Sequence, residues 1–398
     1  MSWPTARLDQ CTRIVGGATP ATGVASNWDG DIPWATPKDL GEIACGHIDN
    51  TPRKITKSGL ASCSAEILPT NSVLFSSRAP IGHVAINTVP MATNQGFKSF
   101  IPNSKTLSSS FLYWWLKANR NYLEGLGNGA TFKEVSKAVV ARVEIPLPPL
   151  DEQRRIASIL DQADALRRKR REAIQAFDRL LPRTFIELFG DPITNPHGWP
   201  RVPLRLYVPN IDSGWSPTCE DHAAEAGEWG VLKLSAITTG RYDDTAHKAL
   251  PRDVSPRAHL EVKSGDLLFT RKNTYDLVAA CALVRSTRPR LMMSDLIFRL
   301  RINDNDKLLP AYLQALLSNP SKRRQVQKLA GGSSGSMPNI SKARLGGLEI
   351  EVPPLAEQRK LDEFNSEVEA LRALAVRDLK RLDQLFASLQ HRAFSGEL

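Results

Sequence analysis

Nothing in this sequence pairs its cysteines. Cys11, Cys45, Cys63, Cys219 and Cys281 are odd in number, widely spaced and without a Cys-x-x-Cys motif, which argues against a disulfide framework or zinc knuckle and for a reducing compartment. Long apolar runs are missing too: no stretch approaches the about eighteen residues of a membrane span. Met1-Ser2-Trp3-Pro4 lacks the basic-then-apolar start of a secretion signal. A cytoplasmic protein with no membrane partner is expected.

Catalytic signatures are equally scarce. No Gly-x-x-x-x-Gly-Lys-Ser/Thr loop occurs, which excludes the common ATP-driven motor signature. The glycine-rich cofactor loop and Asn/Asp-Pro-Pro-aromatic string of a base methyltransferase are also missing; the nearest string, Asn195-Pro196-His197-Gly198, reads as a turn. Asp253, Glu261 and Lys263 are too loosely spaced to define a nuclease centre. Cys45-Gly46-His47, without a second pair, reads as a packed turn rather than a zinc site. No catalytic residue, metal ligand or cofactor site is assigned to the chain.

What the sequence does have is size, positive charge and a duplication. Its 398 residues, 41% of them hydrophobic, exceed one compact core and imply two domains. A net charge of +10 favours a polyanion such as nucleic acid as partner. Pro148-Pro149-Leu150-Asp151-Glu152-Gln153-Arg154 recurs 205 positions later as Pro353-Pro354-Leu355-Ala356-Glu357-Gln358-Arg359. The same offset aligns Ser136-Lys137 with Ser341-Lys342, Glu144-Ile145 with Glu349-Ile350, Asp178 with Asp383 and Phe189 with Phe394. Nearer the start of each half the offset drifts: Trp3-Pro4 and Leu8 match Trp199-Pro200 and Leu204, and Gly17 and Pro20 match Gly214 and Pro217. Each repeat is therefore a variable globule followed by a length-restricted rod.

The rods read as helices. Ile156, Leu160, Ala163, Ile174, Phe177, Leu181 and Leu188 fall on one stripe at three-and-four spacing, as do Leu361, Val368, Leu379, Leu382, Phe386 and Leu389. Each rod would run about 60 Å at about 1.5 Å per residue. So narrow a stripe needs a partner, and antiparallel packing would place the two globules at opposite ends about an approximate two-fold axis, a geometry suited to two half-sites on a duplex. Arg167-Arg168-Lys169-Arg170-Arg171 points in all directions on a helix and reads as a solvated face with partner contacts. The globules show short β-type runs, Ser72–Ser76, Val231–Leu234 and Asp266–Thr270, with helices near Phe111–Lys117 and Ala311–Leu317. An α+β class follows for each.

Over essentially its whole length the chain resembles the specificity subunit of type I restriction-modification systems. The repeated Pro-Pro-Leu-x-Glu-Gln-Arg signature carries the resemblance, with Ile32-Pro33-Trp34, Leu74-Phe75-Ser76-Ser77-Arg78, Asn94-Gln95-Gly96-Phe97 and the closing Phe394-Ser395-Gly396-Glu397-Leu398. It implies two tandem target-recognition domains, residues 1–147 and 191–352, separated by two long antiparallel spacer helices, 148–190 and 353–398. It also implies double-stranded DNA, two modification (methyltransferase) subunits and two restriction (motor-nuclease) subunits as partners. S-adenosylmethionine, ATP and magnesium are then expected on those partners. A self-sufficient methyltransferase or nuclease, and a coiled-coil scaffold, stand as alternatives.

Cations in turn-rich segments are the candidates for phosphate contact: Arg78, Lys98, Lys133 and Lys137 in the first half, and Lys233, Arg241, Arg271, Lys272 and Lys342 in the second. The stretches Gly127–Thr131 and Gly331–Ser336 precede Lys137 and Lys342 and would allow close backbone approach.

Overall fold

The computed structural model describes residues 3–43, 45–129, 133–331 and 337–398. The chain forms two compact units, Met1–Arg171 with Arg377–Leu398, and Glu172–Val376. Each unit holds one globule with a segment from each of two long helices, Leu150–Phe189 and Leu355–Ser395. Among the described residues no helix is long and apolar enough to cross a membrane.

In the first unit the strands Thr12–Gly16, Lys98–Pro102, Val73–Phe75, Val84–Asn87 and His47–Ile48 form a five-stranded sheet in that order, antiparallel except for the last pair. A three-stranded sheet, Lys54–Ile55, Trp28–Ala35 and Ala92–Thr93, lies beside it in the topology. The second unit repeats the plan: Asn210–Ser213, Ile297–Arg301, Leu267–Thr270 and Cys281–Leu283 form one antiparallel sheet. His247–Ala249, Gly230–Leu232 and Leu291–Met292 form the smaller one. The run at Val231 thus ends as a strand at Leu232, and Leu234–Ala236 continues it as a 3-10 turn. The expected helices are Ser109–Ala118 and Pro310–Ser318.

The sequence repeat has a backbone counterpart. Thr5–Arg7 pairs antiparallel with Glu144–Pro146, and Arg201–Pro203 with Glu349–Glu351. Leu8 donates to the Val143 carbonyl at 2.9 Å and Leu204 to that of Leu348 at 2.7 Å. These short ribbons close each globule immediately before Pro148 and Pro353, whose missing N–H groups end the ladder.

The signature glutamines explain why the motif is repeated. Gln153 is fully buried; its Oε1 accepts from the Ser108 N–H at 2.8 Å, and its Nε2 donates to the carbonyls of Thr106 and Pro148, both at 2.8 Å. Gln358 repeats all three bonds, accepting from Leu309 at 2.9 Å and donating to Lys307 and Pro353 at 2.8 Å. An amide with one acceptor and two donors fits that set of backbone groups, and loss of it strands buried polar atoms. Each long helix is thereby pinned to its globule's shorter helix at the first turn.

Within each unit the two helix segments run antiparallel. In the first, Arg167 and Arg171 donate to Asp383 at 2.7 and 3.0 Å, Arg170 meets Asp378 at 3.5 Å, and Arg155 reaches the Leu398 carbonyl at 2.6 Å. In the second, Arg372 donates to Asp178 at 2.7 Å, the same ion pair with the helices exchanged. The basic run is therefore not a free solvated face: Arg167, Arg170 and Arg171 are held by carboxylates of the other helix, and Arg168 by Asp164. Of the expected stripe, Ile156, Leu160, Leu361, Val368 and Phe386 are buried, and Ala163, Ile174, Phe177, Leu181, Leu379, Leu382 and Leu389 are half-buried. The first long helix continues through Pro182, which can make no bond to the carbonyl four residues back.

Candidate nucleic-acid interface

At one end of the larger sheet in each unit, three loops are tied together by the chain that leaves the central strand. In the first unit Ser77 donates to the Gly96 carbonyl and accepts from Val135, both at 2.8 Å. This brings Arg78, the 94–97 loop and Glu134 side by side. Arg78 donates to Glu134 Oε2 at 2.7 Å and Lys98 to Oε1 at 3.2 Å. Burial pushes the Glu134 carboxyl up, but hydrogen bonds from Arg78 and Lys98 and their charges outweigh it and hold the carboxyl below its usual range. Lys133 and Lys137 are exposed beside this group, Lys137 opening the short helix Lys137–Ala141 that Ser136 caps.

A fourth segment completes the face. The Thr19 hydroxyl donates to Gln95 Oε1. Its approach depends on Gly17, where a Cβ would collide with the carbonyl oxygens of Thr93 and Asn94. Lys38, Arg78, Asn94 and Gln95 line a shallow cleft there. The groups gathered are cations and amides, able to neutralise phosphates and to exchange donor and acceptor patterns with base edges.

The second unit builds the same frame with other side chains. Arg271 donates through its backbone to Leu296 at 3.1 Å and accepts from Ile340 at 2.8 Å. The Ser216 hydroxyl donates to Asp295, and Gly214, matched to Gly17, leaves no room for a Cβ beside Met293 and Ser294. Where the first unit has Glu134, bridged to Arg78, the second has Asn339, bridged to Lys272. Arg271 lies over the Phe298 ring at 5.3 Å, and Lys342 sits 5.7 Å from the same ring. Three buried polar atoms here have no hydrogen-bond partner among the described residues: Arg271 Nε, Ser294 Oγ and Asn339 Oδ1.

Two cations fall outside this arrangement. Lys233 is exposed at the end of Gly230–Leu232, on the smaller sheet. Arg241 is already spent: Asp178 at 2.9 Å and Glu369 at 3.1 Å, one on each long helix, neutralise its guanidinium. It anchors the second globule to the helices, away from the face built around Arg271 and Lys272. Gly332–Ser336 and Ala130–Thr131 lie outside the described residues.

Sequence reading missed Thr19, Gln95 and Glu134 and their counterparts Ser216, Asp295 and Asn339 as members of the face. The drifting offset that aligned Gly17 with Gly214 was the available signal for the first segment. Nothing in the sequence signalled that Glu134 holds two of the named cations. Cys45 and His47 share a turn in which the imidazole Nδ1 lies 3.2 Å from the Cys45 carbonyl. Glu261 accepts the Arg290 backbone N–H at 2.7 Å.

Residues 2–176 match the family described as type I restriction modification DNA specificity domain. The chain is 36% identical over 191 residues to the type I restriction enzyme MjaIX specificity subunit of Methanocaldococcus jannaschii, covering 48% of this chain and 44% of that relative. The alignment thus spans under half of that relative's length. With the EcoKI specificity subunit of Escherichia coli K12, identity is 24% over 422 residues, covering 100% of this chain and 89% of the relative. The crystal structure of the type I S subunit from M. genitalium shares the fold, with a TM-score of 0.62 at 14% identity over 99% of this chain and 96% of that one. The chain thus carries a type I restriction modification DNA specificity domain over residues 2–176 and is similar over its whole length to a type I restriction enzyme specificity subunit.

Proposed function

We propose that this chain is the non-catalytic reader of a type I restriction-modification complex, recognising a bipartite site on double-stranded DNA, one part through each globule. The observation that carries this reading is the duplicated face. The frame of Ser77/Arg271, Gly17/Gly214 and the paired loops is kept, while the side chains it presents change from Gln95 and Glu134 to Asp295 and Asn339. A constant frame with exchanged donors and acceptors is what two different base sequences require. Cations place the backbone and the polar side chains read the bases.

On this reading the long helices fix the spacer and dock two modification subunits, and two restriction subunits complete the nuclease. S-adenosylmethionine, ATP and magnesium act on those partners. The test is base-resolved methylation mapping in cells expressing this chain with its genomically neighbouring methyltransferase, against cells lacking the chain. A split methylated motif that disappears with the chain is expected; methylation that is unchanged with both proteins present would overturn the reading.

A further inference from the structure

The two units differ sharply where the globule's shorter helix meets the long helices. In the first, Trp114 is 2% exposed and packs edge-on against Phe386 with ring centroids 5.5 Å apart. Its indole N–H donates to Asp161 at 2.8 Å. The glutamine bonds to Ser108 and Leu309 set the register between the two shorter helices. Gln314, Ala315 and Ser318 therefore stand where the first unit has Tyr113, Trp114 and Lys117. On the long helices, Leu181 replaces Phe386 and Asn365 replaces Leu160.

These exchanges leave a cavity of about 520 Å³ in the second unit, with Leu181, Phe185, Gln314, Ala315, Ser318 and Asn365 among its walls. Its size lies within the about 300–1,000 Å³ of small-molecule sites. Two polar atoms on its walls have no partner among the described residues: Ser318 Oγ, and Oδ1 of Asn365, a residue only 6% exposed. The charges around it cancel, Arg241 and Arg372 against Asp178 and Glu369, and Arg285 against Asp362. The cavity thus offers an apolar patch of Leu181, Phe185 and Ala315 among polar walls, cations that are each paired with a carboxylate, and a buried acceptor without a donor among the described residues.

We propose that this cavity binds a neutral, planar, bicyclic heteroaromatic molecule with an N–H donor, in the space that the first unit fills with the Trp114 ring but turned so that its N–H meets Asn365 rather than Ser366, the counterpart of Asp161. The N–H is donated to Asn365 Oδ1, which removes the cost of leaving that acceptor unpaired. Because the ligand binds only the folded second unit, it raises thermal stability with concentration.

The test uses the full chain with indole as probe, 1-methylindole as the analogue without the donor, and calorimetric titration. Saturable binding of indole is expected, with 1-methylindole weaker by about tenfold. Ala315→Trp, which fills the space from within, is expected to abolish binding. Asn365→Leu introduces the residue found at the matching position of the first unit and keeps a readout should Ala315→Trp fail to fold; it is expected to erase the preference for indole over 1-methylindole. No saturable binding to the wild-type chain, or indole binding and preference unchanged in the variants that fold, would overturn the proposal.

Discussion

The first and second units agree in their backbone-fixing bonds and differ in the side chains those bonds support. Gln153 and Gln358 make the same three hydrogen bonds, and Arg167–Asp383 is matched by Arg372–Asp178. Against this, Glu134 is answered by Asn339, Trp114 by Ala315, and Pro146 by Glu351, a buried carboxylate that Lys322 meets at 2.9 Å. A bond to the backbone has one geometry and tolerates few substitutes, whereas a packed or solvent-facing side chain can be exchanged if its neighbours change with it. The duplication therefore survives in the connections and has drifted in what they carry.

The largest asymmetry should come from Lys322, which is 1% exposed and also donates to the Glu349 carbonyl at 2.6 Å. Lys322→Met strands Glu351 with only the Arg201 contact at 3.1 Å, and should cost about 3 kcal/mol in urea denaturation. Hydrogen exchange should place the loss in the second unit; equal loss of protection in the first would break the comparison. Next come Gln153→Leu and Gln358→Leu, each removing one buried and two part-buried bonds to the backbone and each expected to cost about 2 kcal/mol. Costs that differ widely between the two would show that the shared bonds do not carry shared weight.

The smallest effect separates the two faces by pH. The Glu134 carboxyl is held below its usual range, so its contribution to stability is full above the unfolded carboxylate value of about 4.3 and is lost as pH falls through the lower folded value. Wild type should be more stable than Glu134→Gln at neutral pH, and their urea midpoints should converge on acidification. Asn339→Gln in the second unit should show no such convergence, since neither residue titrates.

Much of the fold was legible because repetition amplifies weak signals. One Pro-Pro-Leu-x-Glu-Gln-Arg string is punctuation; two, at a fixed offset, mark where each globule joins its helix. The stripe from Ile156 to Leu181 was readable from spacing alone, as were the central strands around Val73 and Leu267. The role of Gln153 was not, because its partners Ser108 and Thr106 are more than forty residues away in sequence. The partners of Arg241 were hidden for the same reason: composition shows a cation in a loop, but only the folded chain brings Asp178 and Glu369 to it. The face itself was half legible. Arg78, Lys98, Lys133 and Lys137 gather around Glu134 or beside it, yet Glu134 and the oxygen atoms of Gln95 and Thr19 became visible only as neighbours.

The central claim is that each face reads its own part of one split site. Methylation mapping with the double substitution Gln95→Ala and Arg78→Ala in this chain, alongside Lys272→Ala and Asn339→Ala in a second version, tests it most directly. The account predicts relaxed sequence at one half of the motif in the first case and at the other half in the second, with the spacer unchanged in both. Relaxation of the same half by both versions, or an unaltered motif in both, would contradict it.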